Sequence, residues 1–137
     1  EFGVESGDEK LLKKANKEYS TETISKAFEG AHKAGILTYG FFIFFLPGET
    51  IITWLKSIMF ARSLHVDSCV WTVLVPFPGT KVFDEKMVEI IDPDYLEWRY
   101  KNPVIRSGRL GPRTLKLMRE IADIACNGFF NTGTYKE

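Results

Sequence analysis

Residues 36–50 read Ile-Leu-Thr-Tyr-Gly-Phe-Phe-Ile-Phe-Phe-Leu-Pro-Gly-Glu-Thr. From Ile36 to Leu46 the stretch is apolar on both alternations. A strand with one wet side alternates apolar and polar residues, so this pattern predicts a strand in the middle of a parallel sheet. Pro47-Gly48-Glu49-Thr50 then turns the chain. Thr50 is suited to cap a following helix that carries Ile51, Leu55, Ile58 and Ala61 inward.

Working outward, the same alternation of strand and helix repeats. Upstream, Glu1-Phe2-Gly3-Val4-Glu5 reads as a strand already under way, the mark of a chain cut from a longer protein. Asp8 is an N-cap for a helix reaching about Lys17, with Leu11, Leu12 and Ala15 as its apolar stripe. Ser20 and Thr21 cap a second helix carrying Ile24, Ala27, Phe28 and Ala31, and Gly35 stops it. Downstream, Cys69 to Val75 forms a third strand, ended by Pro76-Phe77-Pro78-Gly79-Thr80. The βαβαβ order defines an α/β fold: a three-stranded parallel sheet with right-handed crossovers and helices over it.

Residues 1–80 make up that body, and residues 81–137 a helical extension packed on it. Lys81 to Glu89 reads as a short helix, and Asp92 to Pro103 as a loop or short helical piece. Pro112 opens a last helix with Leu115, Met118, Ile121, Ala122 and Ala125 on one stripe. Gly128 closes that helix, and Phe129-Phe130 pack back onto the body.

Composition narrows the function. Lys and Arg balance Asp and Glu at a net charge of zero, which gives no footprint for nucleic acid or an anionic membrane. The apolar run Phe41 to Pro47 is far too short to span a bilayer. The two cysteines, Cys69 and Cys126, form no metal-spaced pair and read as free, buried thiols in a reducing cytoplasm. They are too few for an iron–sulfur site held by cysteines alone.

In parallel α/β folds ligands bind beyond the carboxyl ends of the strands. Three exits therefore matter: Val4-Glu5-Ser6-Gly7, Leu46-Pro47-Gly48-Glu49-Thr50 and Val75-Pro76-Phe77-Pro78-Gly79-Thr80. Each joins glycine to a hydroxyl or carboxylate. In this order and spacing, with Leu12-Lys13-Lys14 and Lys17 after the first exit and Ala34-Gly35-Ile36 before the second strand, they resemble the second half of the radical S-adenosylmethionine (radical-SAM) barrel. The likeness covers about residues 1–80. It is nearest to the cobalamin-associated and methylthiotransferase-like members, magnesium-protoporphyrin ester cyclase-type proteins among them.

That resemblance implies strands four to six of a partial (β/α)6, TIM-like barrel plus a C-terminal helix. It places Glu5 and Ser6 at the methionyl amino group or ribose of SAM. Gly48 and Glu49 fall in the fifth-strand part of the pocket, and Val75 and Pro76 where sixth-strand backbone meets adenine. The parent enzyme would hold a [4Fe-4S] cluster through an upstream C-x3-C-x2-C motif, with cobalamin a further cofactor. It would reductively cleave SAM to a 5′-deoxyadenosyl radical, while this fragment alone would be inactive. Two departures stand out: Phe45 where many relatives have glycine, and Glu18 where they often do.

The residues also admit plainer readings. Glu5 can cap the following helix, and Glu49 sits where a helix dipole favours a carboxylate in any case. Phe41, Phe42 and Phe44 read as core; His32 and His65 as solvated. Tyr95, Trp98, Arg99 and Tyr100 either line a substrate pocket or cover an open edge. Arg106, Arg109 and Arg113 suit an anionic substrate or a solvated loop. Two rival functions stay open: a non-enzymatic module that self-associates through its exposed half-barrel surface, and half of an unrelated phosphate-binding barrel.

Overall fold

In a computed structural model the three strands are β1 (Phe2–Glu5), β2 (Tyr39–Phe44) and β3 (Ser68–Val73), all parallel and in the order β1-β2-β3. The structure describes residues 1–92, 94, 103–106 and 110–128. Helices α1 (Glu9–Lys14) and α2 (Thr21–Lys33) link the first two strands, and α3 (Ile51–Ser63) the second pair. A one-turn α4 (Lys81–Asp84) follows, then a short antiparallel ribbon of β4 (Glu89–Ile90) with β5 (Ile105–Arg106), and finally α5 (Pro112–Asn127). The α/β class and the parallel sheet are as the sequence predicts. The ribbon inside the expected helical extension is not.

Capping residues set the helix starts. Asp8 accepts from the N–H groups of Lys10 and Leu11, Ser20 from Thr23, and Thr50 exchanges bonds with Thr53 in a capping box. Helix α1 stops at Lys14, short of the predicted Lys17, because the chain reverses at Asn16 with a φ of 55°. Gly35 (φ 70°) ends α2 and Gly128 (φ 76°) ends α5, both as expected.

The central strand is shorter than the apolar run. Ile36 and Leu37 are 58% and 68% exposed, since the Ile36 N–H still bonds back to the Ala31 carbonyl at the end of α2. Thr38 starts the ordered pairing, its N–H donating to Asp67 Oδ2 at 2.7 Å while its carbonyl accepts from Asp67 and Ser68. His32 Nε2 meets Thr38 Oγ1 at 3.0 Å, so this histidine is half-buried and bonded rather than simply solvated. At the other end Phe45, with a φ of 63°, breaks the strand before Leu46.

The two sheet faces differ. Gly40, Phe42 and Phe44 on β2 and Cys69, Trp71 and Val73 on β3 are buried; Tyr39, Phe41, Ile43, Ser68, Val70 and Thr72 are half-buried. Phe42 and Phe44 stack on Trp71 at 4.2 and 4.7 Å, and Phe44 meets Trp54 of α3 edge-on at 6.2 Å. Phe28 of α2 lies on Phe2 at 4.4 Å, and Leu115, Met118 and Ala122 of α5 complete this core. Burying such aromatic and aliphatic side chains contributes roughly 1.5–3 kcal/mol each. Phe41, predicted as core beside Phe42 and Phe44, instead looks out from the half-buried face, because strand alternation sends it opposite its neighbours.

The predicted face of α3 is rotated, and that of α5 is narrower than predicted. Trp54, Ser57, Ile58 and Ala61 are the buried stripe of α3, while Ile51 and Leu55 are exposed at 54% and 47%. On α5, Ile121 is 44% exposed although Leu115, Met118 and Ala122 are buried as predicted. In α3 the Trp54 indole, edge-on to Phe44, sets the rotation.

Candidate functional site

At the first strand exit Glu5 has a left-handed backbone, φ 64°, and the β1–β2 register is irregular between Gly3 and Glu5. An L-residue held there is strained, and such strain collects at functional positions. The Glu5 side chain folds back over Gly3; a Cβ on Gly3 would stand 2.9 Å from Glu5 Oε1. Glycine therefore leaves room for the carboxylate. Lys17 Nζ donates to the same Oε1 at 3.0 Å and also lies 5.7 Å from the Tyr19 ring centroid. Burial opposes the charge on Lys17, but the Glu5 carboxylate outweighs it and holds the lysine pKa above the ordinary value. Tyr19 Oη donates to the Gly3 carbonyl at 2.7 Å, fixing the returning chain against β1. Glu5 does not cap α1; Asp8 does.

Ser6 is fully buried. Its Oγ lies 3.2 Å from Ser57 Oγ and accepts from the Asp8 N–H, and Ser57 Oγ also accepts from the Gly7 N–H at 2.9 Å. A Cβ on Gly7 would meet Phe60 Cβ at 2.7 Å and the Lys56 carbonyl at 2.9 Å, so α3 abuts the exit loop directly. Lys56 Nζ donates to Asp8 Oδ2 at 3.0 Å. Burial would raise the Asp8 pKa, yet the Lys56 bond and the α1 N–H groups hold it below the usual carboxylate value. Ser6 and Gly7 thus tie the first exit to α3, leaving Glu5 as the side chain this turn presents.

The second exit is built around Glu49. Its Oε2 accepts from the backbone N–H of Phe45, the residue with reversed φ, while Oε1 is buried without a partner among the described residues. Burial pushes this carboxyl up to about 7, the Phe45 N–H and the nearby Asp8 charge acting against and with it. Gly48 is exposed with a φ of 88°, and a Cβ there would collide with the Lys14 ammonium, which reaches the Pro47 carbonyl at 3.5 Å. Beside it a cleft of about 490 Å³ is lined by Lys13, Lys14, Asn16, Lys81, Pro47 and Gly48. At the third exit Val75 is half-buried and Pro76 buried, and Thr80 caps α4.

All three exits thus lie at the carboxyl end of one parallel sheet. Another cleft, about 360 Å³ along the open edge of β1, is lined by Phe2, Gly3, Lys17, Tyr19 and Ile24. The sequence reading passed over Lys17, although its place at the end of the helix after the first exit is the signal that would bring it back to Glu5. Arg106 lies in β5, 4.0 Å from Glu89, and Arg113 in the first turn of α5. Tyr95, Trp98, Arg99, Tyr100, Arg109 and Phe129-Phe130 lie outside the described residues. Among the described residues no cluster of His, Cys, Asp and Glu could hold a metal ion. No helix among them is long and apolar enough to cross a membrane.

An uncharacterized methyltransferase of Pyrococcus horikoshii is 31% identical over 83 residues, 61% of this chain and 18% of its own length. The bacteriochlorophyllide d C-8(2)-methyltransferase of Chlorobaculum tepidum is 28% identical over 114 residues, 80% of this chain and 25% of its own length. The anaerobic magnesium-protoporphyrin IX monomethyl ester cyclase of Rubrivivax gelatinosus is 26% identical over 105 residues, 77% and 19%. The chain is similar to part of two methyltransferases and a cyclase. It spans a quarter or less of the length of these relatives, and no family model matches it.

Proposed function

We propose that this chain supplies strands four to six of a radical-SAM barrel, and with them one wall of the SAM pocket in a larger enzyme. The observation that carries the reading is the Glu5–Lys17 pair at the first strand exit. The Glu5 carboxylate already holds an ammonium at 3.0 Å, so the position suits the methionyl amino group of SAM, and the Lys17 ammonium suits its carboxylate. The half-buried face with Tyr39, Phe41, Ile43, Val70 and Thr72 supports the same reading. Parallel sheets are normally covered on both faces, and a barrel wall turns one face inward.

SAM, reductively cleaved, supplies a carbon-centred radical to such enzymes. The residues of this chain act on binding and orientation: Glu5 and Lys17 anchor a zwitterion, Gly48 lets backbone approach closely, and Val75 and Pro76 offer backbone at the third exit. Their residue types fit SAM. They do not fit an iron–sulfur cluster, because Cys69 and Cys126 sit on the helix-covered side of the sheet, so the cluster ligands belong upstream. Two relatives are named for bacteriochlorophyllide and magnesium-protoporphyrin, which favours a tetrapyrrole as the parent's substrate. Cobalamin accords with methyl transfer as the parent's chemistry.

Titrating SAM into the isotopically labelled chain tests the pocket wall by NMR. Shifts at the amides of Glu5, Lys17, Gly48 and Val75, lost in Glu5→Gln, are expected. Shifts indifferent to that substitution would contradict the assignment. The lysine-lined cleft beside Gly48 favours one alternative, a phosphate site. In that case inorganic phosphate, and not SAM, moves the Gly48 and Gly79 resonances. The half-buried sheet face and the unpaired edge of β1 also suit self-association of the isolated chain, which sedimentation at rising concentration reads directly.

A further inference from the structure

The fold brings together the chain's two cysteines, which the sequence separates widely. Cys69 is buried in β3, and Cys126 is half-buried in the last turn of α5; both are free thiols. Asn127, the residue after Cys126, bonds both backbone groups of Cys69, and this brings the two thiols together where β3 meets the end of α5. Asn127 Oδ1 accepts from the Cys69 N–H at 2.7 Å, and its Nδ2 donates to the Cys69 carbonyl at 2.8 Å. Cys126 Sγ also reaches the Ile58 carbonyl of α3 at 3.9 Å. The thiol pair therefore sits where α3, α5 and β3 meet, remote from the strand exits.

The two sulfurs are not equivalent. Cys126 is the more accessible, and the neighbouring Cys69 thiol, with the Arg62 charge nearby, favours its thiolate over the opposition of burial and Asp123. The adjacent Cys126 sulfur and burial hold Cys69 protonated. An accessible nucleophilic thiol backed by a buried one is the arrangement of an attacking and a resolving cysteine.

We propose that Cys69 and Cys126 are a modification site, oxidised by a peroxide to an intramolecular disulfide that staples α5 to β3. The Cys126 thiolate attacks a peroxide oxygen, the O–O bond breaks, and hydroxide leaves, giving a sulfenic acid. The Cys69 sulfur then attacks the Cys126 sulfur; the S–O bond breaks, and water leaves with the Cys69 proton. Two thiols lose two electrons in total, and hydrogen peroxide is reduced to water. The site is independent of the SAM reading and stands or falls without it.

The test is hydrogen peroxide treatment of the purified chain, followed by thiol alkylation, intact mass and thermal unfolding. Both thiols should disappear together, with a mass lower by two hydrogens, no change in oligomeric size, full reversal by dithiothreitol and a higher unfolding midpoint. Cys126→Ser should leave Cys69 alkylatable only after unfolding, and Cys69→Ala should stop oxidation of Cys126 at the sulfenic acid. Cys126→Ser keeps the test open should the buried Cys69→Ala variant fail to fold. Peroxide-treated wild type that gains oxygen at Cys126 while keeping the Cys69 thiol, that links only between molecules, or that keeps both thiols would overturn the proposal.

Discussion

Glu5 and Lys17 meet at 3.0 Å over the exit of β1, a carboxylate on strained backbone paired with a lysine that the α1 turn returns to it. The Lys17 side chain is one-third exposed, so water screens the pair and its contribution to folding is below about 1 kcal/mol. Its value lies in what it presents. Glu5→Gln should change the urea midpoint little and weaken SAM binding about tenfold or more, since a charge-assisted bond to an ammonium is lost. A large loss of stability with unchanged binding would make the pair structural only.

Glu49 predicts a pH dependence. Its pKa is raised by burial from an ordinary 4.5 to about 7, so between those values the folded chain keeps a proton that the unfolded chain has released. The associated stability is full below about pH 4.5 and lost as pH rises to about 7, a contribution of about 3 kcal/mol. Glu49→Gln keeps an acceptor for the Phe45 N–H without the charge. Urea unfolding at several pH values should show that variant gaining on wild type between about pH 4.5 and 7 and keeping the gain above that range; parallel curves would contradict this.

Gly7→Ala places a methyl group against Phe60 and the α3 backbone. Backbone cannot yield as a side-chain tip does, so the cost should be about 1–3 kcal/mol in denaturant unfolding. A neutral result would mean that α3 can move away from the first exit.

Reconstituting the isolated chain with iron and sulfide should give no cluster absorbance and no SAM cleavage. Cys69 of β3 and Cys126 of α5 come together at one junction, and no third ligand accompanies them among the described residues.

Much of this architecture was legible because it is local. Caps at Asp8, Ser20 and Thr50, stops at Gly35 and Gly128 and the apolar run through Phe42 and Phe44 place most strands and helices. Rotation of α3 was not, because Trp54 rather than Ile51 or Leu55 fits the Phe44–Trp71 stack, a tertiary choice. The β4–β5 ribbon escaped for the same reason: two residues on each strand carry no periodicity. At the site, the exits could be read from turn residues, yet the partners could not. Ser6–Ser57 and Cys69–Cys126 each join separate elements, and only the fold brings them together.

The central claim is that this chain forms one wall of a SAM pocket whose cluster is held by residues upstream. The nucleotide sequence immediately upstream of the Glu1 codon tests it most directly. An in-frame C-x3-C-x2-C motif following a strand-like apolar segment is the predicted result. An upstream reading frame that runs through a complete set of preceding strands without those cysteines would contradict it.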